Sequence, residues 1–105
     1  MKMKQIINGR MYNTETAEFI GGYENDYYRN DFNWCYQELY RTKKGAFFIA
    51  GEGNANTIFS RRCGDNSWCG GEGIIPISED EAKEFAEKHL SIDTYVKTFG
   101  EPDEA

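Results

Sequence analysis

Leucine is nearly missing from this chain, at positions 39 and 90 only. Aliphatic burial must therefore come from isoleucine, while the 15% of residues that are aromatic supply much of the remaining core. No run approaches the ~20 apolar residues that cross a bilayer. The opening MKMKQIINGR lacks the apolar centre of a secretory signal, so a cytoplasmic protein is expected. Cysteines number three, and an odd count without an export signal argues for reduced thiols over a disulfide framework. One histidine, His89, and no phosphate-loop spacing leave little from which to assemble a familiar catalytic motif. A non-enzymatic protein is expected.

The 105 residues suit one domain, read as residues 1–100 with a flexible acidic tail at 101–105. Net charge is −6, unevenly placed. Residues 1–78 carry nine acidic and nine basic side chains, whereas residues 79–105 carry nine acidic and three basic. An acidic carboxyl end repels phosphates and favours a basic groove on another protein, which speaks against direct nucleic-acid binding. Plain solubility is the simpler use of the same charge.

Asn8-Gly9 between Ile6-Ile7 and Met11-Tyr12 is a strong hairpin signal. Asn13 can cap a two-turn helix carrying Ala17 and Ile20, ended by Gly21 or Gly22. Residues 23–34, YENDYYRNDFNW, show neither period and read as an irregular loop. CYQELYRT, the turn KKGA and FFIAGEG predict a second hairpin at the sheet's centre, and GIIPIS a strand that Pro76 confines to an edge or an end. Between them, residues 54–73 predict a short strand and a long glycine-bearing loop. Ser78 with Glu81 forms a capping box for a helix carrying Ala82, Phe85, Ala86 and His89. Ile92, Tyr95, Val96 and Phe99 repeat the period in a second helix stopped by Gly100 and Pro102. The expectation is an α+β fold: a small antiparallel β-sheet, covered on one face, with a short N-terminal helix and one or two C-terminal helices packed on it.

Cys35, Cys63, Cys69 and His89 make a complete zinc donor set by type, and so a zinc-stabilised adaptor domain is the alternative reading. The spacing departs from common zinc knuckles, and partly buried His89 with ordinary thiols is the plainer account. A thiol nucleophile paired with His89 has no supporting signature. GEG at 51–53 and CGGEG at 69–73 serve turns or bulges. Arg41, Lys43, Lys44, Arg61 and Arg62 form a basic patch only if the hairpin and the following segment lie together. The 23–34 loop carries recognition chemistry: large rings at low entropy cost beside adaptable polar groups. Tyr23, Glu24, Asp26, Tyr27, Tyr28 and Asp31 are its candidate contacts, and Glu79, Asp80, Glu84 and Glu87 those of the acidic helix. The competing readings are rings that tether the loop to the core and acids that serve the helix dipole.

IINGRMYNTETA at 6–17, ELYRTKKGAFF at 38–48, GEG at 51–53, IIPISEDEAKEFAEKHL at 74–90 and FGE at 99–101 resemble a family of small acidic proteins of phages and mobile elements of Firmicutes. That family includes anti-CRISPR proteins. The resemblance implies an inhibitor that binds a bacterial CRISPR-Cas effector and blocks target-DNA recognition. It carries over no catalytic residue and no cofactor, and the three cysteines do not match its pattern.

Overall fold

The computed structural model describes residues 1–105. In chain order it contains β1 (Lys4–Ile7), β2 (Arg10–Asn13), β3 (Glu18–Glu24), β4 (Cys35–Arg41), β5 (Phe47–Gly53), β6 (Arg61–Arg62), β7 (Trp68–Cys69), β8 (Gly71–Ile77), α1 (Glu79–His89) and α2 (Ile92–Phe99). Strands β3, β4, β5 and β8 form a four-stranded antiparallel sheet in that order, on which the two helices pack. The fold is α+β. No helix is long and apolar enough to cross a membrane.

Asn8 and Gly9 turn the β1–β2 hairpin with φ of 51° and 77°, the left-handed pair that a tight two-residue turn demands. The short N-terminal helix expected from Asn13 does not form. Asn13 does cap a turn, its carbonyl accepting from Ala17 N–H at 3.0 Å and its Oδ1 from Glu15 N–H at 2.9 Å. The chain then extends into β3, because an isolated two-turn helix is marginal while the open edge of β4 offers a ladder to Glu18, Phe19 and residues 21–24, interrupted by a bulge at Ile20.

Strand β5 is buried on both faces. Leu39, Phe47 and Ile49 point to the helix side, where Ala82, Phe85, Leu90 and Phe99 cover them. Tyr40, Phe48, Ala50 and Ile74 point the other way, against Tyr12, Met3, Ile7 and Ala17. The sheet therefore has a second cover, the β1–β2 hairpin, where covering on one face only was expected. Phe48 is wholly enclosed, a side chain whose burial contributes about 1.5–3 kcal/mol.

Ser78 caps α1 as predicted: its Oγ accepts from Glu81 N–H at 3.1 Å, and Glu81 Oε1 accepts from Ser78 N–H at 3.0 Å. Ser91 caps α2 through Thr94 N–H at 3.1 Å. Pro76 lies, as anticipated, in an edge strand, β8. The Ile74 N–H of that edge donates to Gln5 Oε1 at 3.3 Å, and Pro76 has no N–H, so two of the three outward positions offer no donor to another chain.

Candidate interaction surface

The β3–β4 loop is irregular but firmly tied. Asn25 braces its base, its Nδ2 donating to Asn33 O at 2.8 Å and its Oδ1 accepting from Cys35 N–H at 3.2 Å. Asn54, just past β5, donates through Nδ2 to Arg29 O and Asp31 O, each at 2.7 Å, and through its backbone to Trp34 O at 3.0 Å. Asn56 N–H reaches Phe32 O at 2.8 Å.

That frame sorts the predicted residues. Trp34 is buried, its Nε1 donating to Glu24 Oε2 at 2.7 Å and its ring lying 4.0 Å beneath the Arg29 guanidinium. Tyr23 stacks on His89 with centroids 3.7 Å apart. The Trp34 ring tethers the end of the loop, while Tyr23, which lies within β3 and not in the expected loop, ties that strand to α1. Asp31 is occupied too, its Oδ1 accepting from Asn33 N–H at 2.8 Å and Asn33 Nδ2 at 3.0 Å. Tyr27, Tyr28 and Phe32 remain free, at 51%, 85% and 73% exposure. Asp26 sits beside them. Ile58 and Trp68, which sequence reasoning did not single out, are exposed at the same end of the sheet, where they line one shallow depression.

The hairpin leaves part of its sheet face open, and there register assembles a row that composition did not reveal. Glu24 pairs with Tyr36, Tyr36 with Glu52, and Glu52 with Glu72. The two GEG segments thus lie against each other, with both carboxylates on one face. Since Pro76 cannot bond to Phe48 and Ile74 N–H is turned outward, Glu52 and Glu72 occupy the closely spaced kind of antiparallel pair. Opposed like charges are unfavourable, and Arg29, 3.8 Å from Glu52, offsets them. Arg29, Trp34, Glu52, Asn54, Arg61 and Glu72 line an open groove of ≈ 520 Å³.

Deeper on that face, Glu38 is buried and accepts from Tyr36 Oη at 2.6 Å and Tyr40 Oη at 2.8 Å. Burial and then the Glu38 carboxylate push the Tyr36 hydroxyl up to about 12, and Tyr40 rises for the same reasons. Both phenols stay protonated donors, which suits a structural clamp and not proton transfer near neutrality.

Glu79, Asp80, Glu84 and Glu87 are all exposed on α1. Lys83 lies 3.4 Å from Glu79, and Lys88 2.8 Å from Glu84, which holds the Glu84 carboxyl below its usual range. The helix stands on the sheet face opposite to Glu24, Glu52 and Glu72. The expected contact residues thus fall on separate layers, linked where Tyr23 meets His89.

The cysteines correct the reduced-thiol reading. Cys63 and Cys69 form a disulfide, Cα atoms 5.8 Å apart, because the β6–β7 hairpin brings the ends of a six-residue separation together. Cys35 is free and buried, which pushes its thiol up. His89 is lowered by burial and then by Lys88, and its ring is stacked on Tyr23. The zinc set and the thiol–imidazole pair are therefore not assembled, and no three His, Cys, Asp or Glu side chains are placed to hold a metal. Nor is there one basic patch: Arg41 is bound to Glu18 at 2.7 Å, and Lys43 and Lys44 sit in the β4–β5 turn, far along the sheet from Arg61 and Arg62.

No family model, no curated protein and no solved structure matches the chain.

Proposed function

We propose that this protein works by binding, as a non-enzymatic inhibitor that engages a bacterial CRISPR-Cas effector and blocks its recognition of target DNA. One observation carries the reading: Tyr27, Tyr28 and Phe32 stand exposed on a loop whose backbone Asn54 and Asn56 hold in place. Rings displayed on a braced loop give contact area with little ordering cost on association. The resemblance to anti-CRISPR proteins names the partner class.

Charge supports the same partner. CRISPR effectors hold nucleic acid in positively charged channels, and an acidic protein is drawn to such a channel while being repelled by DNA itself. A net charge of −6 suits a local plug better than imitation of a long duplex. Because Arg29 and Arg61 stand beside Glu52 and Glu72 on the open face, the loop end of the sheet supplies the rings of contact while the carboxylates of α1, on the opposite face, steer the approach.

The test is guide-directed DNA cleavage by a purified effector titrated with this protein. Tyr28→Ser with Phe32→Ser is expected to weaken inhibition at least about tenfold, the usual scale for losing buried aromatic anchors. Glu84→Lys with Glu87→Lys is expected to slow association and reduce its salt dependence. Full inhibition by the loop variant would remove these rings from the interface, and absence of binding to any effector would sink the reading.

A further inference from the structure

We infer that the groove between α1 and α2 is a second docking surface, fitted to a basic amphipathic helical segment of a partner protein. Helix α2 carries Ile92, Tyr95, Val96 and Phe99 at i, i+3, i+4 and i+7, the pattern of a helix with one apolar face against a core. No residue of α2 is buried, and of these four Phe99 is the one that packs against the central cluster. Ile92 is 83% exposed at the helix start. The rest of the stripe faces a groove of ≈ 610 Å³, whose apolar walls are Ala86, Leu90, Ile92, Tyr95, Val96 and Pro102.

The rim determines what kind of chain fits. Glu87 stands in the groove wall. Asp93 follows Ile92, and the chain on either side of Pro102 carries Glu101, Asp103 and Glu104, all exposed. The neighbouring cations are engaged elsewhere or turned away: Lys83 pairs with Glu79, Lys88 with Glu84, and Lys97 lies about 140° around α2 from Ile92. The result is an apolar trough under negative potential. Nucleic acid is repelled by that rim. A second copy would set the same carboxylates against each other, so symmetric pairing here is unfavourable. A helix presenting Leu, Ile or Phe toward the trough and Lys or Arg toward its edges satisfies both features.

This surface is distinct from the loop rings, and the experiment separates the two. The isotope-labelled full chain is titrated with a synthetic amphipathic helix bearing leucine on one face and lysine on the other, and with the same peptide carrying glutamate for lysine. Expected are amide shift changes confined to residues 86–103 with the lysine peptide, weakened by salt, and no binding of the glutamate peptide. Ile92→Asp should lower affinity at least about tenfold. The side chain is exposed, so the fold survives, and Ile92→Ser serves as the milder second variant. Tyr28→Ser with Phe32→Ser should leave peptide binding unchanged, so failure of the loop reading does not imitate failure here. Equal binding of both peptides, shifts scattered outside the groove, or concentration-dependent dimerisation with shifts at Ile92 would each overturn the proposal.

Discussion

Replacing Asn54 by alanine removes the two side-chain bonds to Arg29 O and Asp31 O while leaving the backbone bond to Trp34 O intact. Each is an ordinary neutral hydrogen bond, with a net value of about 0.5–1.5 kcal/mol. The freed carbonyls lie on an exposed loop where water can reach them, so the lower half of the range applies and the loss is about 1–2 kcal/mol. With an unfolding entropy of ~2.1 cal/mol/K per residue over 105 residues, the melting temperature should fall by about 5–9 °C. Asn54→Asp sharpens the test. Aspartate supports turns as asparagine does, but it offers two carbonyl oxygens only acceptors, so it should be worse than alanine. Thermal melting followed by circular dichroism reads the global effect, and amide exchange across residues 29–34 reads the loop. An Asn54→Asp variant as stable as the native chain, with unchanged exchange, would show that Asn54 merely shapes a turn and does not pin the loop that displays Tyr28 and Phe32.

Other outcomes follow from single contacts. His89 has a folded pKa below its ordinary value, so the unfolded chain takes up the proton first; its contribution is complete above about pH 6.5 and is lost as pH falls through the folded value. Melting temperatures between neutral and mildly acidic pH should show that decline, and His89→Phe should remove its share while keeping the stack on Tyr23. Native protein treated with reductant and iodoacetamide should gain two labels by mass spectrometry, at Cys63 and Cys69, with Cys35 labelled only after denaturation. In Gly51→Ala the new Cβ would meet both Phe59 Cζ and the Tyr36 carbonyl at 2.5 Å, and since the carbonyl belongs to the central strand the substitution should cost about 1–3 kcal/mol in denaturant unfolding.

Where a signal is local, it was legible. The capping box at Ser78 and Glu81 and the Asn8-Gly9 turn each involve residues at most three apart, and both C-terminal helices and both predicted hairpins are present. Residues 13–22 were misread because Asn13, Ala17 and Ile20 suit a capped turn of helix as well as a strand. What decided between them was the free edge of β4, a partner that enters the chain eleven residues after β3 ends. The cysteines followed the same logic. Their odd number argued for thiols, but the reversal of the chain between Arg62 and Trp68 is what brings two of them together.

The candidate site was legible in its chemistry and not in its geometry, for a reason of parity. Successive residues of a strand face opposite ways, so Tyr23 and Glu24, adjacent in sequence and similar in promise, were bound to part company once β3 extended that far. Tyr23 turns to the helix layer and stacks on His89, while Glu24 turns to the open face and takes the Trp34 Nε1–H. Residues beyond the strand's end escape that rule, and among the rings between β3 and β4 it is Tyr27, Tyr28 and Phe32 that stand exposed. Parity also made the acidic row. A glutamate between two glycines reads as turn material on its own, but two such segments paired in register put Glu52 opposite Glu72, with glycines at the neighbouring positions. Glu24 joins them across Tyr36. Negative charge on this protein is therefore not confined to its carboxyl-terminal quarter, where a count along the chain places the excess: Glu24, Glu52 and Glu72 stand on the sheet face opposite to α1, and there Arg29 and Arg61 lie beside Glu52 and Glu72.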